Sequence, residues 1–192
     1  MIVLASSSPR RGQLLEQIGI QYIRHSADID ESVTKDEKPR VLVERLAREK
    51  AAFIAEQRTD NLLVLGSDTI GLIDEQILVK PKDFQDFVAM MKTMSGACHS
   101  VITAIAVAKF YPQNRHLQLK SEIVESKVFF KVLSEDEIEH YWLTGEPQDK
   151  AGGYGIQGFA GKFVRKIEGS YSAIVGLPLY ETAELLKNMG YD

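Results

Sequence analysis

The chain has 192 residues, 44% of them hydrophobic, and carries 23 Lys and Arg against 27 Asp and Glu for a formal net charge of −4. That length supports a substantial core, as one large domain or two tightly joined lobes, while the acidic balance excludes a general nucleic-acid binder and confines any anionic ligand to a local basic pocket. A single cysteine, Cys98, excludes an intrachain disulfide or a thiolate metal cluster and reads as a small core residue. The apolar run at residues 2–5 is too short for a signal peptide and no run reaches membrane-spanning length, so a cytoplasmic protein without membrane contact is expected.

A strand at residues 2–5 runs into Ser6-Ser7-Ser8-Pro9-Arg10-Arg11 and then a helix over residues 9–18. Pro9 suits the first helical position, where no N–H is needed, and Leu14, Leu15 and Ile18 face a core. Strand, polar turn and helix N-terminus bring free N–H groups and the positive end of a helix dipole to one point, with Arg10 and Arg11 adding fixed charge, which suits a polyphosphate. The same residues also suit a Ser-capped surface helix with two solvated arginines.

A strand at residues 20–24 and a charged stretch at residues 28–38 precede a long helix at about residues 40–57. Its inward stripe, Val43, Leu46, Ala47, Lys50, Ala51 and Ile54, contains a lysine. Lys50 either snorkels out from the margin of the stripe or reaches a cleft. Residues 62–65 form a central strand that stops at Gly66-Ser67-Asp68-Thr69, and a carboxylate such as Asp68 at the end of a buried strand is placed for chemistry. Apolar character resumes over residues 70–73. A tight turn at Asp74-Glu75 and a returning strand at residues 76–79 make a hairpin that brings Lys80 back toward Asp68.

A helix over residues 84–94 ends at Ser95-Gly96, and strands follow at residues 101–108 and 119–133, the second with Val128, Phe130 and Val132 alternating. Ser134-Glu135-Asp136-Glu137 opens a capped helix through about residue 143. A glycine-dense segment at residues 149–161 precedes a strand at residues 163–167. It reads either as a ligand loop, with close backbone approach and Gln157 offering a donor and an acceptor to a base edge, or as a flexible turn. Tyr154, Ile156 and Phe159 between the glycines favour the ligand loop. The mixed order of elements predicts an α/β fold with a curved mixed sheet flanked by helices.

Taken in order, Ala5-Ser6-Ser7-Ser8-Pro9-Arg10-Arg11, Leu46-Ala47-Arg48-Glu49-Lys50-Ala51, Gly66-Ser67-Asp68-Thr69, Lys80-Pro81, Ser95-Gly96 with His99 and Thr103, Glu146-Pro147-Gln148-Asp149-Lys150-Ala151-Gly152, Gly169-Ser170-Tyr171 and Val175-Gly176-Leu177-Pro178 resemble the Maf family of nucleoside triphosphate pyrophosphatases nearly end to end. Tyr154-Gly155-Ile156-Gln157-Gly158 is similar to the branch acting on dTTP and UTP. Ser67, Gly153 and Gln13 depart from the family's common residues without removing an assigned group.

The resemblance implies a single domain over residues 1–192, two lobes around a deep nucleotide-binding cleft as in inosine triphosphatase-like proteins, and hydrolysis to a nucleoside monophosphate and pyrophosphate with Mg²⁺ or Mn²⁺. It implies that Asp68 accepts the proton, that Arg11, Lys50 and Lys80 hold phosphate with Ser6 donating, and that Arg10, Thr69 and Gln157 help select the base. Asp68 and Glu31 are the implied metal ligands. His99 either orders the site or is structural. A homodimer is compatible with the resemblance. Two other readings stay open: a pyrophosphatase for 7-methyl-GTP or another noncanonical nucleotide, and a nucleotide-binding regulator of septum formation without turnover.

Overall fold

The structure is a computed structural model that describes residues 1–74 and 76–191. Its strands are β1 (Ile2–Leu4), β2 (Tyr22–Arg24), β3 (Val64–Ile73), β4 (Gln76–Leu78), β5 (Cys98–Tyr111), β6 (His116–Phe130) and β7 (Val164–Glu168). They form one mixed seven-stranded sheet in the order β2-β1-β3-β5-β6-β7, with β4 on β3. The helices are α1 (Pro9–Gln17), α2 (Pro39–Glu56), α3 (Phe84–Met94), α4 (Glu135–Leu143), α5 (Tyr171–Val175) and α6 (Leu179–Lys187). The expected mixed α/β class is the observed one.

The chain divides into two compact units. Unit 1 comprises Met1–Thr69, Thr103–Val124 and Gly176–Asp192. Within it β1 pairs in parallel with β2 (Ile2↔Tyr22) and with β3 (Val3↔Val64), and α1 and α2 are the two crossover helices. Ile2, Val3 and Leu4 are fully buried, which is why this short strand reads as a continuous apolar run rather than an alternating one. α2 lies so close to β3 that a Cβ on Gly66 would stand 2.3 Å from the Ala47 carbonyl oxygen and 2.8 Å from Ala51 N. Only a residue without a side chain admits that approach.

Unit 2 comprises Ile70–Ile102 and Glu125–Val175. β3 and β4 pair antiparallel, Gly71↔Leu78 to Ile73↔Gln76, as the hairpin pattern predicts; Glu75 of the expected turn lies outside the described residues. Its core is aromatic. Phe87, Phe130, Tyr141 and Phe163 are each at most 1% exposed and sit with Met91, Met94 and Tyr154 in one cluster. The Ser134 capping box forms with both reciprocal bonds, so α4 begins where its sequence says.

Three readings are corrected. Cys98 is exposed rather than in the core, because it is the first residue of β5, and the side chain turned inward there is that of its neighbour His99. Val132 is exposed because β6 ends at Phe130, so the alternation stops after Val128 and Phe130. The strand at residues 62–65 does not stop at Gly66-Ser67-Asp68-Thr69 but continues as β3 to Ile73, so Asp68 lies within the strand rather than at its end. Residues 146–163 coil into three short 3-10 helices, Glu146–Asp149, Ala151–Gly153 and Phe159–Phe163. α5 and α6 were not anticipated, although Leu185 and Leu186 are core residues.

Candidate active site

In unit 1 the polar turn after β1 delivers Arg11 from the first turn of α1. Pro9 takes an N-terminal helical position and Ser8 is the N-cap without a side-chain capping bond, so the first N–H groups of α1 keep their donor capacity. Two arginines and no acidic residue at the positive end of a helix oppose the dipole, a local cost that an anion would relieve.

Arg11 is held on three sides. Its Nε donates to Gly176 O at 2.9 Å, one terminal nitrogen to Ser6 Oγ at 3.0 Å and the other to Thr69 Oγ1 at 3.3 Å. A guanidinium carries five N–H groups, so two remain to be given to a ligand. Ser6 Oγ also accepts from Ser8 N at 3.2 Å, which leaves its O–H free to donate. Thr69 Oγ1 lies 2.9 Å from Thr103 Oγ1, and Gly176 O takes a second bond from Ser67 Oγ at 3.0 Å. Burial pushes the Arg11 guanidinium down from its ordinary value, with the Asp68 carboxylate working in the opposite direction. It stays charged in the physiological range.

Beside it stands an ion triad. Lys50 Nζ lies 2.7 Å from Asp68 Oδ1 and 2.8 Å from Glu31 Oε1. The Lys50 side chain is 9% exposed, Asp68 13% and Glu31 55%. The lysine in the inward stripe of α2 therefore reaches carboxylates rather than bulk water, and the close approach at Gly66 is what brings that face of the helix to the strand carrying Asp68. Lys50 occupies one Asp68 oxygen, and Oδ2 has no partner among the described residues.

Two carboxylates converging on one cationic point suit a Mg²⁺ or Mn²⁺ ion that takes one or two protein oxygens and completes its shell with water and phosphate. Among the described residues no group of three or more His, Cys, Asp and Glu could hold a metal ion.

Unit 1 thus brings Ser6, Arg11, Glu31, Lys50, Asp68 and Thr69 together, with Arg10 next to Arg11. Lys80 and Gln157 belong to unit 2, where both are exposed. Gly152 N donates to Val79 O at 2.9 Å, which puts Lys80 beside the start of the glycine-dense segment. In that segment Tyr154 is buried and Ile156 packs on the aromatic core, so packing accounts for these two apolar residues and leaves Gln157 outward. His99 is 2% exposed, its Nε2 2.6 Å from Tyr154 Oη and its Nδ1 without a partner among the described residues. Burial pushes its pKa down to about 4, so it is a neutral member of the core.

Sequence reasoning missed Gly176, which holds Arg11 directly, and Thr103 and Ser67, which bond to the groups that hold it. Thr103 and Gly176 stood inside the resembling motifs without a role, and Ser67 figured only as a departure. A backbone carbonyl and two hydroxyls leave no pattern along the chain.

Parallel βαβ units with a cationic turn after the first strand, beside a lysine-bound carboxylate pair, define a mixed α/β protein. The chain belongs to the Maf family: the family described as Maf-like protein matches residues 1–189. It is 52% identical over 187 residues to the dTTP/UTP pyrophosphatase of Pseudoalteromonas translucida, covering 97% of this chain and 95% of that one. It is 48% identical over 192 residues to that of Pseudoalteromonas atlantica (98% and 97% covered) and 49% identical over 185 residues to that of Vibrio cholerae (96% of each). No helix among the described residues is long and apolar enough to cross a membrane.

Proposed function

We propose that this protein is a nucleoside triphosphate pyrophosphatase that hydrolyses dTTP and UTP to the monophosphate and pyrophosphate. The observation that carries the reading is the Asp68–Lys50–Glu31 triad beside a clamped Arg11 with N–H groups to spare. The relatives' names supply the substrate.

Water attacks the α-phosphorus, the bond from that phosphorus to the bridging oxygen breaks, and pyrophosphate leaves with the bond's electrons. Asp68 accepts the proton of the water; with Oδ1 on Lys50, Oδ2 is the oxygen open to it. The dispersed negative charge of a phosphoryl-transfer transition state is met by fixed donors, namely Arg11, the Ser6 hydroxyl and the α1 N-terminus. When bound at Asp68 and Glu31, Mg²⁺ or Mn²⁺ supplies charge neutralisation on the phosphate oxygens. Lys50 then keeps its carboxylate partners aligned and offers its remaining donor capacity to phosphate. Lys80 adds phosphate charge, and Arg10, Thr69 and Gln157 help choose the base. Uracil and thymine present the same hydrogen-bonding edge and differ by a methyl group, so accepting both needs a pocket tolerant at that carbon. We take the protein to be cytoplasmic, where nucleoside triphosphates are used, and to work as one domain.

The test is pyrophosphate release from dTTP, UTP, CTP, GTP, ATP and 7-methyl-GTP with Mg²⁺ or Mn²⁺, wild type beside Asp68→Asn. Release from dTTP and UTP that is lost in the variant supports the reading. Activity confined to 7-methyl-GTP, or tight nucleotide binding with no release, overturns it.

A further inference from the structure

The turn that carries Gln157 is closed by a hydrogen bond from Gly158 N to Gly155 O at 3.0 Å, and the sequence gives no reason for it to point one way rather than another. Its far end is nevertheless tied to one pair of side chains, Tyr141 on α4 and Glu146 just beyond that helix. Tyr141 Oη donates to Glu146 Oε1 at 2.8 Å, and the other carboxylate oxygen, Oε2, accepts from Phe159 N at 2.8 Å. A chain of bonds therefore runs from Tyr141 through Glu146 to Phe159, at the far end of the turn at residues 155–158.

Packing tightens the same bracket. The Tyr141 ring stacks on Phe159, centroids 5.7 Å apart and planes within 6°. A Cβ on Gly158 would stand 2.4 and 2.5 Å from the Glu146 oxygens, so the carboxylate lies directly against the turn's backbone. Lys150 Nζ donates to Glu146 O at 2.7 Å, and its Cε would be 3.0 Å from a Cβ on Gly155, where the Gln157 side-chain nitrogen would be 3.3 Å away. The Gln157 amide thus lies back over Gly155 beside the Lys150 stem. Tyr141 is fully buried and Gln157 exposed, which is the arrangement of a fixed support and a reachable reader.

We infer that Glu146, with Tyr141, is a positioning residue for nucleobase selection: its carboxylate holds the turn at residues 155–159 so that the Gln157 amide presents one orientation of its donor and acceptor. This rests on the reading of Gln157 as a base-selecting residue. Neither Glu146 nor Tyr141 is assigned a contact with the substrate. An amide reads a base edge only if its oxygen and nitrogen are placed to hydrogen-bond distance, and a displacement on the order of 1 Å is enough to lose the discrimination.

The experiment compares wild type, Tyr141→Phe, Glu146→Gln, Glu146→Ala and Gln157→Ala. It measures kcat and KM for dTTP, UTP and CTP and for ribose 5-triphosphate, which has no base, with thermal unfolding alongside. Tyr141→Phe keeps the ring that fills the core and removes only the bridging hydroxyl, so it folds even where Glu146→Ala does not. The expected result is a fall of about 10- to 100-fold in the preference for dTTP and UTP over CTP in Tyr141→Phe and Glu146→Ala, matching Gln157→Ala. The loss is smaller in Glu146→Gln, which keeps the acceptor for Phe159 N, and turnover of ribose 5-triphosphate is unchanged in the Tyr141 and Glu146 variants. A lowered melting temperature with base preference intact overturns the positioning role while Gln157→Ala still loses preference. If Gln157→Ala itself keeps the preference, base reading by Gln157 fails, and the positioning role with it.

Discussion

The polar cluster of unit 1 and the aromatic core of unit 2 bury chemistry to opposite ends. Around Arg11 and Lys50 the side chains are held firmly but not saturated: Arg11 retains two N–H groups, Ser6 its hydroxyl proton and Asp68 an oxygen. Around His99 the rings pack on one another, with His99–Phe130 at 5.1 Å and Phe130–Tyr154 at 4.9 Å, and the polar atoms either pair internally or do without. The difference teaches how to tell a site from a core when both contain buried polar groups. A site fixes its groups and leaves capacity unspent, whereas a core spends what it has on itself.

Substitutions can break this contrast. Asp68→Asn keeps the volume and an acceptor for Lys50 but removes the base, so turnover of dTTP is expected to fall by about 10²–10⁴-fold, with the melting temperature little changed; kinetics and calorimetry on one sample check both. Phe130→Ala is the converse. Removing a fully packed ring should cost about 3–5 kcal/mol in denaturant unfolding, and a loss under about 1 kcal/mol would mean that the aromatic cluster is not the core of its unit.

His99 gives a pH signature. Its pKa is about 4 in the fold against 6.5 unperturbed, so between those values the unfolded chain binds the extra proton. Stability is therefore complete above about pH 6.5 and falls as pH drops toward 4, by about 3 kcal/mol in all. His99→Gln should flatten that slope, and an unchanged slope would place its origin elsewhere. The smallest effect is Arg11→Lys. It keeps the charge but loses the fork that bonds Gly176, Ser6 and Thr69 at once, so KM for the triphosphate should rise about tenfold, and no change would show that charge alone suffices.

Much of this was legible in the chain. Pro9 at the start of α1, the lysine in the stripe of α2 and the Ser134 capping box each follow from local stereochemistry or periodicity, and the structure keeps all three, whereas the polar residues 66–69 that read as the end of a strand lie inside β3. What was not legible depends on partners far along the chain. The turn at residues 28–38 gave no hint that Glu31 would meet Lys50, and Gly176 meets Arg11 across 165 positions. Cys98 was misjudged because composition says what a residue prefers, while a strand's phase decides which way it faces.

The close approach at Gly66 has a consequence for how function is inherited. The distance between α2 and β3 is set by atoms that are missing, and Lys50 and Asp68 take their spacing from that gap. A methyl group at position 66 would push the helix outward and part the ammonium from the carboxylate without altering either. A mutational scan of activity should therefore score this glycine alongside the charged residues, although it offers no functional group and meets no substrate. The machinery is specified as much by permitted emptiness as by chemistry.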